Sequence, residues 1–442
     1  MNYSIKNESC FGEFFRYTAL SILGMLGVSC YILADTFFIS KGLGANGLAA
    51  LNLAIPVYNF IHGTGLMLGM GGSTRFSVCV NRKKSEEKDR VYTNTLYLAA
   101  LFSAVFVLLG LLLSKRLAYI LGADENILEL TNIYILWLTL FAPAFILNDV
   151  LLCFIRNDKN PRLSMAAMVT GSLANIVLDY IFIFPMDMGM FGAVFATGLS
   201  PVISIIVMSS HLIKRKNNFH FIKTPTDFNI IKTNLALGFP SLVAQLSSAV
   251  VMITFNAIIL KLAGNTGIAA YGVIANISLV VVAVYTGIAQ GAQPLISRFY
   301  GLSERGNAEM VLKYAMISMF VISCVIYALI FVFANPITAL FNSENNPRLQ
   351  KIAVEGLKLY FISNVFAGYN IVLAVFFTSI EKALPAQVIS VLRGFMLIVP
   401  LAFMLSALWK MTGVWLAYPV TEMLCALIGF VWYLCYNKKH GI

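Results

Sequence analysis

Residues 262–297 read LAGNTGIAAYGVIANISLVVVAVYTGIAQGAQPLIS, without a single Asp, Glu, Lys or Arg. A helix needs roughly 20 apolar residues to cross the hydrocarbon core of a bilayer, and this stretch exceeds that. Eight more charge-free stretches are long enough, or nearly so: Tyr17–Ala34, Gly42–Thr74, Val91–Ser114, Leu130–Asn148, Met188–Ile213, Thr233–Leu260, Tyr314–Ser343 and Leu359–Ile380. Three others carry one ionisable group each: Leu163–Pro185 with Asp179, Ala383–Trp409 with Arg393, and Met411–Asn437 with Glu422. The pattern predicts an all-α integral membrane protein of twelve spanning helices, because a helix satisfies its backbone groups within its own segment.

Composition excludes the alternatives. Of 442 residues, 59% are hydrophobic and 12% charged, against about 45–50% and 25% in soluble domains. That leaves too little charge to cover a soluble surface of this size. The net charge of +11 resides between the apolar runs, as in the cytoplasmic loops of a membrane protein rather than on a nucleic-acid face. The seven cysteines are scattered, with no CxxC or metal-ligand spacing, and read as small core or lipid-facing residues. Gly69, Gly71 and Gly72 are not followed by the Lys-Ser/Thr of a phosphate loop, and no Walker A motif occurs, which argues against ATP drive. No paired nucleophile and base marks an enzyme. The first apolar run follows Arg16 without a signal-cleavage pattern and is expected to be a genuine span.

Loop charge predicts orientation. With a cytoplasmic N-terminus, 21 Lys and Arg fall on the inner side and 7 on the outer, so both termini are expected inside. The halves also resemble each other. GLAALNLAIPV at 47–57 answers to GIAAYGVIANI at 267–277, and GMFGAVFATGLS at 189–200 to KMTGVWLAYPVT at 410–421. The shared offset predicts two pseudo-symmetric six-helix bundles, residues 1–213 and 233–442. They are joined by the basic cytoplasmic linker KRKNNFHFIKTPTDFNIIK at 214–232.

Ionisable groups inside spans are costly, at roughly 2.5–3.5 kcal/mol on insertion scales, and are functional candidates by default. At 1.5 Å rise per residue, Asp35 lies about 28 Å above Arg16 and Asp179 about 24 Å above the inner end of its span. Asn175, four residues before Asp179, shares its helix face. Thr197 lies about 12 Å down the next span from its outer end. All four fall in the outer half of the N-terminal bundle. Two carboxylates, an amide and a hydroxyl can share a proton or ligate a hard cation such as Na⁺ through oxygen. In the C-terminal half, Gln245, Gln290 and Gln293 are polar but unionisable. Arg393 can snorkel inward, line a cavity or form an ion pair, and Glu422 lies near mid-membrane. His62 in the second span reads as a packing residue that can titrate near neutrality. Glycines at 63, 65, 69, 71, 72, 287 and 291 permit bent, closely packed helices.

Several stretches, taken in order, resemble the multidrug and toxic compound extrusion (MATE) family. They are ADTFFISKGLGANGLAALNLAIPVYNF at 34–60, FIRNDKNPRLSM at 154–165, NIVLDYIFIF at 175–184, GAVFATGLS at 192–200 and YGVIANISLVVVAVYTGIAQGAQPLI at 271–296. The likeness spans the chain and is strongest to the bacterial and archaeal DinF-like branch. It implies a V-shaped pair of lobes in a bacterial or archaeal cytoplasmic membrane. It also implies export of amphipathic, mostly cationic toxic compounds in exchange for Na⁺ or H⁺, by a monomer with no other cofactor. Asp35 matches the family's acidic residue of the first span; Asn175, Asp179 and Thr197 match the polar set that binds the coupling ion. A sibling branch carries further acidic residues in spans seven and ten; here those spans offer Gln245 and Ser248, then Tyr369 and Asn370. Gln245, Gln290, Gln293, Tyr369, Asn370 and Arg393 are thus candidates for lining a substrate cavity. The alternative within the wider superfamily is a flippase for lipid-linked oligosaccharides. Its anionic head group calls for several cavity cations that this chain mostly lacks.

Overall fold

A computed structural model describes residues 10–82, 85–342 and 346–440. Twelve α-helices account for nearly all of them: α1 (Cys10–Asn81), α2 (Ser85–Ile120), α3 (Leu128–Leu140), α4 (Ala142–Asn157), α5 (Pro161–Ile183), α6 (Gly189–Ile213), α7 (Phe228–Gly301), α8 (Arg305–Phe341), α9 (Pro347–Tyr360), α10 (Asn364–Ser379), α11 (Ala383–Val391) and α12 (Ile398–His440). Helices and passes do not correspond one to one, because three runs are broken inside and one pass is made of two helices. The backbone leaves the helical region at Gly44 in α1, at Gly264 in α7, and at Trp409 and Lys410 in α12. Each of those runs is long enough for two passes. Eight runs qualify as spans by length and hydropathy, and α3 with α4 makes a ninth, bent by 48°. Counting the three broken runs twice gives the twelve passes expected.

The fourth span departs from its predicted end. The sequence reading stops it at Asn148, before the charge of Asp149. The helix instead bends at Phe141, restarts with Pro143 in its first turn, and runs on to Asn157, burying Asp149. Proline suits that first turn because its missing N–H would lack a partner there anyway. Of the charges used to orient the chain, Lys6, Lys83 and Lys84 lie outside the described residues.

The chain forms two compact units. The first comprises Ala19–Leu246 with Ser297–Arg305; the second comprises Met1–Thr18, Ser247–Ile296 and Gly306–Ile442. In the first, α5 packs along α6 and α2 against α3. A methyl group added at Gly42 would overlap Ile183, and one at Gly24 would press on Met168, so α1 lies close along α5. Small residues are what allow such an approach. The segment 214–227 is laid across the start of α2 rather than left free. Phe219 is buried among Phe76, Tyr92 and Phe154. The Ile222 amide donates to Thr93 at 3.1 Å, the Asp227 amide to Asn94 at 2.9 Å, and Arg90 pairs with Asp227 at 2.9 Å. In the second unit α10 packs against α11 and α12, with Gly368 set against Met319 of α8.

Candidate functional site

Three helices of the first unit deliver the polar residues that the sequence singled out. Asp35 comes from α1, nine residues before the break at Gly44. Asn175 and Asp179 come from one face of α5, and Thr197 from α6. All are buried: Asn175 and Asp179 are fully enclosed, and Asp35 is 7% exposed. The two carboxylates are close enough to interact electrostatically. Tyr134 of α3, also buried, is close enough to both carboxylates and to Thr197 to interact with them. Thr197 further donates to the Ala193 carbonyl at 3.1 Å. Gly198, next along α6, leaves room for the Phe141 ring at the bend between α3 and α4.

Acceptor capacity dominates this cluster. Both oxygens of Asp179, Oδ1 of Asp35 and both polar atoms of the Asn175 amide have no hydrogen-bond partner among the described residues. Buried carboxylate oxygens ordinarily find donors, because an unmet one costs free energy. Facing carboxylates with unmet acceptors, joined by amide and hydroxyl oxygens, compose a site for a proton or a hard cation. With Tyr134 included, the oxygens come from four separate helices, so a bound ion would tie them together.

A second polar chain runs through the same unit and was only partly visible in the sequence. Tyr31, one turn before Asp35, shares a 2.7 Å hydrogen bond with Tyr58. Tyr58 stacks on His62, with centroids 5.7 Å apart, and His62 Nδ1 lies 2.8 Å from Asp149 Oδ2. Tyr31 is close enough to both Asp35 and Asp149 to interact electrostatically. His62 is therefore committed to an acidic partner rather than to apolar packing. A side chain at Gly65 would collide with the Asp149 carboxylate, at 2.5 Å from its Oδ2. The signal for Asp149 was the helix-stop sequence Asn157-Asp158-Lys159-Asn160-Pro161 eight residues downstream, which marks where this helix ends. Tyr134 had no comparable signal.

The second unit brings together some of its candidates and leaves others apart. Arg393 donates through Nε and Nη2 to Glu422 Oε1 at 3.0 and 2.6 Å. Asn370 donates to Glu422 Oε2 at 2.7 Å and to the Glu422 carbonyl at 2.9 Å. Tyr418 lies close enough to Glu422 to interact with it, and its ring stacks on Tyr360 with centroids 4.7 Å apart. Arg393 lies in a π-helical turn, Leu392–Met396, whose extra residue turns its side chain relative to a regular helix. Of the readings open to Arg393, the ion pair is the one realised. Gln290 and Gln293 are buried in this unit and Tyr369 is half-buried, near Tyr433. Gln245 is half-buried in the first unit, beside Gly63.

The comparisons with known proteins agree on one family. The family model described as MatE matches residues 21–181 and 240–404. The multidrug export protein MepA of Staphylococcus saprophyticus is 23% identical over 429 residues, covering 96% of this chain and 94% of that protein. A solved structure of an outward-facing multidrug resistance MATE family transporter of the MOP superfamily superposes with a TM-score of 0.91. It is 25% identical and covers 98% of this chain and 97% of that one. A MOP superfamily transporter from Pyrococcus furiosus, described as having a binding pocket of reverse polarity that suggests a different function, gives a TM-score of 0.89. It is 26% identical, with 96% and 95% coverage.

Proposed function

Because this chain belongs to the MATE family, we propose that it is a secondary active multidrug efflux antiporter. It exports amphipathic, mostly cationic compounds in exchange for Na⁺ or H⁺. MATE proteins are transporters rather than enzymes, and the chain is a multi-pass membrane protein. The coupling ion binds at Asp35, Asn175, Asp179 and Thr197, with Tyr134 as a further donor. The observation that carries this reading is the pair of buried carboxylates with unmet acceptors in the first unit.

Exchange follows from the charge at that cluster. A cation relieves two facing carboxylates, and losing it changes the free energy of every helix that contributes an oxygen. The halves 1–213 and 233–442, joined at 214–232, alternate access around their cavities, with both termini in the cytoplasm of a bacterial or archaeal cell. Gln245, Gln290, Gln293, Tyr369 and Asn370 line the route of the exported compound, and the protein works as a monomer without ATP. The polarity also favours a cation over an anionic lipid-linked sugar. Phosphate is best held by several forked or multiple donors, whereas Arg393 is already engaged by Glu422.

Purified protein in liposomes tests the proposal directly. Efflux of ethidium is measured under an imposed Na⁺ gradient and, separately, an imposed H⁺ gradient. One gradient should drive accumulation against the dye's own gradient; failure of both would reject the antiporter reading.

A further inference from the structure

At the end of α5 remote from Asp179, where α6 also ends, a pocket of about 330 Å³ opens on the first unit. Asn160, Arg162, His211, Lys214 and Lys216 are among its lining residues. Its floor is rigidly built. His211, 3% exposed, places Nε2 2.9 Å from Asp158 Oδ2, and its Nδ1 lies 3.3 Å from the Asn160 amide. Asp158 also accepts from the Asn218 amide N–H at 2.9 Å and from its side chain at 2.7 Å. The carboxylate nearest the pocket is thus buried and saturated.

The rim carries the opposite charge without compensation. Arg162, Lys214 and Lys216 are exposed, and none has a carboxylate partner among the described residues. Arg162 stands in the first turn of α5, where the helix dipole is positive and a cation is unfavourably placed. Three cations, one of them at a helix N-terminus, are stabilised together by an anion seated between them. The surroundings of the pocket specify what carries that anion. Ile213, beside Lys214, is 76% exposed and Ile206, two turns earlier on α6, is 64% exposed. Such side chains on a spanning helix face lipid, so the basic pocket continues into an apolar wall suited to acyl chains.

We propose that this pocket binds the phosphate headgroup of an anionic membrane phospholipid, with its acyl chains lying along Ile213 and Ile206. A basic pocket between spanning helices at the membrane surface is a recognised setting for such headgroups. Arg162 belongs to α5 and the two lysines follow α6, so the headgroup clamps the ends of the two helices that carry Asp179 and Thr197.

Delipidated protein in detergent is titrated with phosphatidylglycerol or phosphatidylcholine, and bound lipid is followed by native mass spectrometry. The tightest phosphatidylglycerol site should bind at least tenfold more strongly than any phosphatidylcholine site, and its occupancy should raise the melting temperature. Each charge removed from the set Arg162→Gln, Lys214→Gln and Lys216→Gln should weaken that site about fivefold. Lys214→Arg with Lys216→Arg should preserve it, and so should the distant pair Lys115→Gln with Arg116→Gln. If the triple variant does not fold, Lys216→Gln alone carries the same comparison. Equal affinity for the two lipids, or an undiminished preference in the glutamine variants, overturns the proposal. Displacement of phosphatidylglycerol by inorganic phosphate at matching concentration overturns the lipid assignment in favour of a free-anion site. None of these readouts depends on transport, so the outcome is separate from that of the antiport assay.

Discussion

Gly44 and Gly264 adopt the same backbone conformation, φ 65° with ψ −158° and φ 66° with ψ −157°. They occupy equivalent places in the repeat, within Lys41-Gly-Leu-Gly44-Ala-Asn-Gly47 and Lys261-Leu-Ala-Gly264-Asn-Thr-Gly267. Each converts a helical run too long for one crossing into two passes. The conformation belongs to a region essentially confined to glycine. An added methyl group would meet nothing within 4 Å at either position, so the cost of substitution is conformational rather than steric. Gly44→Ala and Gly264→Ala should each destabilise the protein by about 1–3 kcal/mol, read as a lowered melting temperature in detergent. Gly272→Ala is the control: it too is uncrowded, and its φ is ordinary. Equal melting temperatures for all three variants would mean that the breaks are set by something other than glycine.

A different glycine argument applies where α1 meets α7 inside the first unit. A methyl group at Gly71 would overlap the Asn234 carbonyl, and one at Gly238 would overlap the Met67 carbonyl. Each clash is with backbone, which cannot swing aside as a side chain can. Gly71→Ala and Gly238→Ala should therefore destabilise by more than Gly44→Ala does, of order 1–3 kcal/mol or above for overpacking. Because the two contacts share one interface, the double variant should cost less than the sum of the singles. Strict additivity in thermal or denaturant unfolding would show that the contacts are independent.

The repeat and its glycine breaks were legible because they rest on composition, spacing and backbone permissiveness, all local properties of the chain. The twelve passes followed from the same source. What escaped depended on partners distant in sequence. Asp149 read as the boundary of a span because a lone charge is a poor membrane residue. It sits inside the helix because His62, on another helix, lies 2.8 Å away. Arg393 and Glu422 were each noticed, but 29 residues and a π-helical turn separate them. No periodicity announces that turn, so the pairing could not be read. Tyr134 looked like any aromatic in an apolar run, and only the approach of α1, α5 and α6 gives its hydroxyl a role. The four-residue cluster itself was visible from depth counting, since each member is an isolated polar group in an otherwise apolar span.

The Arg393–Glu422 pair should behave as a structural unit. Glu422 is 1% exposed and receives donors from Arg393 and Asn370. Removing one partner of a buried pair leaves an uncompensated charge and typically costs about 3–5 kcal/mol. Arg393→Met and Glu422→Gln should each lower the melting temperature sharply. The double variant Arg393→Met with Glu422→Met should recover much of the loss, since replacing both partners by apolar groups is often near neutral. If the singles are harmless to folding but abolish export, the pair serves transport rather than architecture.

The cluster proposed to couple the ion makes the opposite prediction, and the contrast would separate a functional charge from a structural one. Asp35 and Asp179 are close enough to interact electrostatically, with acceptors that no described residue fills. Replacing either with the isosteric Asn removes a charge that has no protein counter-ion, so stability should hold or rise. Gradient-driven efflux should nevertheless be abolished in Asp35→Asn and in Asp179→Asn, because on the proposed reading the exchange of one cation for another at that site needs both carboxylates. Asn175→Ala, Thr197→Ala and Tyr134→Phe each remove only a neutral group. They should weaken apparent affinity for the coupling ion several-fold while leaving the maximal rate largely intact. The measurements are melting temperature in detergent and ethidium efflux from liposomes over a range of coupling-ion concentration. Cells expressing the wild-type protein should accumulate less ethidium than cells expressing Asp35→Asn. Full transport by both Asp variants would move coupling away from the first unit. Absence of cation export, together with a block of lipid-linked precursor translocation in an Arg393 variant, would favour the flippase reading instead.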